Sequence, residues 1–303
     1  MKFKMGYSEF FVSQPNVFSG FQKSFEEADY VVLGVPFDGT STYRTGARFG
    51  PNAIREASLN IETYSLRSGI DVEDLKIHDL GDLHVSMDVK ETMERIRLVV
   101  KEILDKGKTP VLLGGEHTIT FGAISGLSME AQKSALLSFD AHLDLREEFM
   151  GLKLSHATFM RRIHEELKLG KIVEVGTRAL SKEELIYANK AGIEFFTSQQ
   201  IIKEGCESLT QKLREKLGEY NKTYISVDMD VLDPSYAPAV QNPEPEGLET
   251  QRLLDILERI IDNKIVCFDL VEVAPNYDNG VSAINAAKII FEVLCRIEIV
   301  RRD

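Results

Sequence analysis

The sequence predicts an α/β protein, a three-layer αβα sandwich around a mostly parallel central sheet of about eight strands. Two observations carry this. Apolar runs rich in Val, Ile, Leu and Phe alternate with amphipathic stretches along the whole chain, which is the pattern of parallel βαβ units. Most of those runs are apolar at consecutive positions, so both faces of the sheet need helical cover.

The strands are expected at "DYVVLGVPF" (29–37), "KIHDLGDL" (76–83), "TPVLLGG" (109–115), "SALLSFD" (134–140), "KIVEVGTR" (171–178), "IEFFT" (193–197), "TYISVDMDV" (223–231) and "KIVCFDLVEV" (264–273). Helical periodicity fills the gaps. In "VKETMERIRLVVKEILDKG", Met93, Ile96, Val100, Ile103 and Leu104 share one face, and Gly107 ends the pattern. "SKEELIYANKAG" opens with Ser181 and has Glu184 three residues on, a capping box. "ETQRLLDILERIIDNK" is a further amphipathic helix. No linker, repeat or low-complexity segment divides the chain, so residues 1–303 are expected to form a single domain.

Composition narrows the function. With 43% hydrophobic and 28% charged residues, the chain can build an ample core. A net charge of -12 argues against nucleic acid and suits a cationic ligand. Cys206, Cys267 and Cys295 are odd in number and form no CxxC pair, so buried, inert thiols and a cytoplasmic location are expected. The N-terminal "MKFKMGYSEFFVSQPN" lacks a continuous apolar core, so no secretory leader is expected, and no run is long enough to span a membrane.

Three strands end in groups that bind cations. "SALLSF" leads into Asp140, His142 and Asp144; "YISV" leads into Asp228 and Asp230; "TPVLLGG" leads into Glu116 and His117. If the extended chain continued past Phe139, Asp140, His142 and Asp144 would project from one side. Taken singly, each cluster reads equally well as a turn or a helix cap. Taken together, they fall at the carboxyl edge of one parallel sheet, where such folds bind ligands. Carboxylates crowded there without a counterion would destabilise the fold. Two divalent cations would neutralise them, and the mixed oxygen and nitrogen set suits Mn²⁺ better than structural Zn²⁺.

These motifs identify a resemblance. "GGEHT" (114–118), "FDAHLD" (139–144) and "SVDMDVLDP" (226–234) resemble the signatures of the ureohydrolases, the arginase and agmatinase superfamily. "GVPFDGTSTYRTGARFGPNAIR" (34–55), "DLGD" (79–82) and "LVEVAP" (270–275) are similar to further segments of that family, so the match covers nearly the whole chain. The resemblance implies an arginase-like fold and two Mn²⁺ per subunit, with other first-row ions as alternatives. His117 and Asp144 would hold one ion, His142 and Asp230 the other, with Asp140 and Asp228 bridging. Glu272 would clamp the substrate guanidinium, and His156 would shuttle protons. A metal-bridging hydroxide would attack the guanidinium carbon, and Asp144 would relay its proton to the leaving amine. The resemblance also implies a homo-oligomer, a trimer or hexamer.

The substrate reading turns on two loops. Arginase-type loops that read an amino acid are rich in Asn, Ser and Thr, whereas "LREEFMGLKLSHA" (145–157) has no Asn and carries Glu147 and Glu148. This form resembles agmatinases, which implies agmatine as substrate, putrescine and urea as products, and a place in polyamine biosynthesis. The family's "APGTGTP" is replaced by "APAVQNPEPEGL" (237–248), where Gln241 and Asn242 either contact the substrate amine or satisfy local backbone. Alternatives are hydrolysis of arginine, guanidinobutyrate or a formimidoyl amino acid, a non-catalytic paralogue, and a deacetylase-like single-zinc hydrolase. Arg48 and Arg55 are read as partners of buried carboxylates, with Arg44 in the same segment. His78 and His164 are read as structural, and His84 as a possible neighbour of the site.

Overall fold

The computed structural model describes residues 7, 11–13, 16–127 and 132–302. Most of the N-terminal stretch expected to carry no leader lies outside them. In chain order the elements are β1 (Val12–Ser13), β2 (Tyr30–Val35), α1 (Gly50–Ser58), β3 (Tyr64–Ser65), β4 (Ile70–Asp71), β5 (Ile77–Leu83), α2 (Val89–Asp105), β6 (Thr109–Gly114), α3 (Ile119–Ser125), β7 (Ser134–Phe139), α4 (Phe159–Arg162), β8 (Lys171–Thr177), α5 (Lys182–Ala191), β9 (Glu194–Thr197), α6 (Ser198–Leu217), β10 (Lys222–Asp228), α7 (Thr250–Ile260), β11 (Ile265–Val271) and α8 (Val281–Arg302).

The main sheet has the order β1-β5-β2-β6-β11-β10-β7-β8-β9. Every pair from β5 to β9 in that order is parallel, and these are the eight strands the sequence predicts. The ninth, β1, adds an antiparallel edge against β5. It is too short to leave a periodic signal, as is the separate β3–β4 hairpin.

Alternation along the strands builds two cores. Tyr30 and Val32 of β2 face one side with Ile54 of α1, Leu213 of α6, Leu253 of α7 and Ala286 of α8. Val31, Leu33 and Val35 face the other with Ile96 of α2, Ile119 of α3, Phe159 of α4 and Ala188 of α5. The apolar C-terminal segment is therefore core, buried along α8 from Ser282 to Ile297 on its inner face. Cys267 and Cys295 are buried as expected, whereas Cys206 is only half-buried.

Local chemistry sets the ends of the elements. Ser181 accepts from Glu184 N at 3.2 Å while Glu184 accepts from Ser181 N at 2.8 Å, which completes the predicted capping box of α5. Gly115 follows β6 where its N–H donates to Val35 and its carbonyl accepts from Glu272 N. A Cβ there would lie 1.8 Å from the Phe37 carbonyl, so only glycine lets three strand ends meet beside His117.

Arginines lock the edge of the sheet. Arg55, fully buried, donates to both oxygens of buried Asp79 at 2.7 and 2.8 Å and to Asp82 at 2.5 Å. Arg48 pairs with buried Asp38 at 2.7 Å, as the sequence reading expects. Arg44 instead caps the Pro238 carbonyl at 3.0 Å. Among the described residues no helix is long and apolar enough to cross a membrane.

Candidate metal centre

The carboxyl ends of four neighbouring strands converge. β6 delivers His117, β11 delivers Glu272, β10 delivers Asp228 and Asp230, and β7 delivers Asp140, His142 and Asp144. The convergence does not come from extended backbone. β7 ends at Phe139, Asp144 has a left-handed φ of 51°, and Met229–Val231 form a single 3-10 turn. The reason is a pair of side-chain turns: Asp140 Oδ1 accepts from His142 N at 2.6 Å, and Asp228 Oδ1 accepts from Asp230 N at 2.8 Å. Each aspartate thus caps its own loop with one oxygen. The other oxygen faces His117 Nδ1, at 3.0 Å from Asp140 and 3.1 Å from Asp228.

The remaining ligand candidates close around these. Asp144 Oδ2 lies 3.8 Å from His117 Nδ1. His142 Nδ1 lies 2.9 Å from Asp230 and 3.5 Å from Asp140. His117, Asp140 and Asp144 form one group that could hold a metal ion, and Asp140, His142 and Asp230 form another. Asp140 belongs to both, and Asp228 reaches the first through His117.

A proton count at His117 tests whether a cation fits. Asp269 accepts three hydroxyl protons: Ser226 Oγ donates at 2.5 Å, Thr120 Oγ1 at 2.7 Å and Tyr224 OH at 2.5 Å. With its proton committed, Ser226 Oγ can only accept from His117 Nε2–H, which is 2.9 Å away. That leaves a lone pair on Nδ1, and this buried nitrogen has no hydrogen-bond partner. A lone pair aimed at carboxylate oxygens is repulsive unless a proton or a metal cation sits between them, so the residues present fit a divalent ion that displaces that proton.

Protons and metal compete for these groups. Burial pushes the carboxyls of Asp144 and Asp228 well above their ordinary range, and neighbouring aspartates push them further. Burial opposes protonation of His117, but Asp140 and Asp228 outweigh it and hold its pKa well above the usual value. Asp140 is shifted down by the two imidazoles despite its burial. Groups raised in the folded state stabilise it below their unfolded pKa, and that stability is lost as pH rises through the folded values. Asp140 acts in the opposite sense, as does His156, whose pKa is also lowered. Chelated protein is therefore expected to lose thermal stability as pH rises through and above the ordinary carboxylate range, from about pH 4 upward. Metal-loaded protein should show a flatter profile; melting temperatures across that window, with and without chelator, check this.

Glu272 and His156 complete the centre. Glu272, with φ 70° and 3% exposure, accepts from His117 N through Oε1 at 2.6 Å. Its Oε2 is buried without a partner. Burial, with Glu116 nearby, pushes its carboxyl up to about 8. Burial pushes the His156 imidazole down to about 4. Both line a cleft of about 310 Å³ with His142, Asp144, Asp228 and Asp230.

The outer cleft differs from the sequence reading. Glu147 and Glu148 are exposed and do not line it. Glu184 and Glu244 do, with Arg146 and Asn242. Glu184 was visible only as a capping residue, and Glu244 only as part of an altered loop. Asn242 meets the cleft, but Gln241 is buried with neither amide atom bonded. Ala239 and Gln241 take negative φ where the family has glycines, and the left-handed residue falls instead at Glu246, φ 63°. His84 is exposed and outside the cleft. His78 contacts the Lys23 carbonyl at 2.8 Å, and His164 contacts Tyr187 OH at 2.9 Å.

A parallel α/β sheet with imidazoles and carboxylates crowding a cleft at its carboxyl edge has a donor set that could hold metal ions, the arrangement of a metal-dependent α/β enzyme. The chain belongs to the arginase family, whose model matches residues 28–295. It is 36% identical over 273 residues to an agmatinase of Pyrococcus horikoshii, covering 89% of this chain and 92% of the relative. It is 37% identical over 271 residues to an N(1)-aminopropylagmatine ureohydrolase of Thermococcus kodakarensis, covering 88% and 90%. The crystal structure of the agmatine ureohydrolase of Thermoplasma volcanium superimposes with a TM-score of 0.86 at 39% identity, covering 92% of this chain and 93% of that one.

Proposed function

We propose that this hydrolase converts agmatine and water to putrescine and urea with two Mn²⁺ bound per chain. The observation that carries the substrate is the outer cleft, where Glu244 and the helix-capping carboxylate of Glu184 outnumber the cation beside them, Arg146. Agmatine is cationic at both ends. The relatives named for agmatine and for its aminopropyl derivative support the same charge type.

His117, Asp140, Asp144 and Asp228 would hold one ion, and Asp140, His142, Asp228 and Asp230 the other. When bound, the ions supply a water whose pKa is lowered towards neutrality. Glu272 places its free Oε2 against the guanidinium, and that cation keeps the carboxylate ionised despite its raised pKa. Clamped there, the guanidinium carbon sits beside the ligand cluster, so attack is nearly unimolecular. Asp144 takes a proton and returns it to the leaving amine. His156, neutral at physiological pH, exchanges protons between cleft and solvent.

Arg146 favours a second reading. It lies over the Phe149 ring at 5.1 Å within the cleft lining, where a guanidino acid could place its carboxylate. Urea release from agmatine, arginine and 4-guanidinobutyrate with added Mn²⁺ separates the two. A like-charge contact costs several kcal/mol, so agmatine is expected to lead in kcat/KM by roughly 100-fold. Faster turnover of either carboxylate would overturn the assignment. We propose likewise a single domain over residues 1–303, a cytoplasmic setting, and a homo-oligomer, a trimer or hexamer, that light scattering reads.

A further inference from the structure

Glu116 and Thr40 belong to the "GGEHT" and "GTSTYRTG" motifs, and neither has a part in the reaction as described. Glu116 is fully buried at 0% exposure, beside a metal-ligand candidate but turned away from the cluster. Four donors surround its carboxylate. Thr40 Oγ1 donates to Oε1 at 2.5 Å and Thr118 Oγ1 at 2.6 Å; Thr40 N donates to Oε2 at 2.8 Å and Ser41 Oγ at 3.3 Å. Burial raises the Glu116 carboxyl and these donors pull it back down, so both oxygens are satisfied as acceptors in a buried place.

Thr40 is the link outward. Its hydroxyl has one proton and two lone pairs. The proton goes to Glu116. His156 N donates to one lone pair at 3.0 Å, and His156 Nδ1 lies 3.2 Å from the same oxygen. A threonine oxygen with its proton committed offers Nδ1 only an acceptor. Nδ1 therefore carries the ring proton. Nε2 is left with its lone pair, beside Thr42 Oγ1 at 3.4 Å, and both His156 and Thr42 line the cleft.

We infer that Glu116, acting through Thr40, is a positioning residue that fixes His156 as the Nδ1–H tautomer with Nε2 as a proton acceptor facing the cleft. The relay is the same carboxylate–hydroxyl–imidazole arrangement that orients His117 through Asp269 and Ser226, but here it serves a side chain outside the ligand set. It deepens the proposed function, since it rests on His156 as the proton carrier. A histidine held in the wrong tautomer cannot take a proton where it is needed, however well it is placed.

The test is long-range ¹⁵N–¹H NMR of the full chain labelled with [¹⁵N]histidine and loaded with a diamagnetic divalent ion. His156→Asn assigns the signal. The wild type should show Nδ1 protonated and Nε2 free. In Glu116→Gln the amide can donate to Thr40, whose hydroxyl then turns to Nδ1 and drives the proton to Nε2. Thr40→Val should give a mixture of tautomers, and Thr40→Ser should restore the wild-type pattern. Urea release should fall about 100-fold in kcat for Glu116→Gln, with KM little changed and Thr40→Ser near wild type. A wild type protonated at Nε2, or a pattern unmoved in both Glu116→Gln and Thr40→Val, would overturn the relay. A tautomer that switches without loss of turnover would uphold the relay and sink His156 as the proton carrier.

Discussion

Asp228→Asn is expected to give a folded protein that no longer holds two ions and releases urea roughly 10³-fold more slowly. The asparagine keeps an oxygen to accept from Asp230 N, so the turn after β10 survives. Its second atom becomes an NH₂ group aimed at His117 Nδ1, the position Asp228 Oδ2 occupies 3.1 Å away. That donor satisfies the lone pair that would otherwise bind metal, and it removes one negative charge. Asp140→Asn should behave alike, because its oxygens divide in the same way. Metal content per chain and urea release are the measurements. Full metal loading with wild-type turnover would remove both aspartates from the site.

Arg55→Met is expected to cost about 3–5 kcal/mol of folding stability, read from urea denaturation. The guanidinium is fully buried, and so is Asp79. Asp79 also accepts from Phe18 N at 2.7 Å and Gly81 N at 2.9 Å, but these neutral donors cannot replace the lost cation. Arg55 does not line the cleft, so the protein that remains folded should keep its KM. Adding Asp79→Leu should recover part of the loss, since it removes the fully buried charge and leaves only the partly exposed Asp82 without its cation. A loss below about 1 kcal/mol would show that the buried pair contributes no more than a surface one.

Six of the eight parallel strands were legible because strands buried on both faces read as continuous apolar runs, "TPVLLGG" and "SALLSF" among them; β5 and β9 are only partly buried and leave a weaker signal. β1 and the β3–β4 hairpin, each two residues long, offer nothing for periodicity to detect. The residues of the centre were legible as a set because three motifs follow three such strands. Their geometry was not. Alternation predicted an extended Asp140-His142-Asp144, whereas a backbone-accepting aspartate bends the chain at each strand end. The outer cleft was least legible. Glu147 and Glu148 stand in the expected loop but point to solvent, while Glu184 and Glu244 arrive from distant segments that only the fold brings together.

The divided roles of Asp140 and Asp228 have a kinetic side. In each, one oxygen closes the chain's own turn, so the oxygen that faces His117 can change its partner without undoing that turn. Ion uptake then orders little backbone, and its conformational entropy cost is small. Exchange of one divalent ion for another is accordingly a local event at the cleft floor rather than a partial unfolding of the sheet edge.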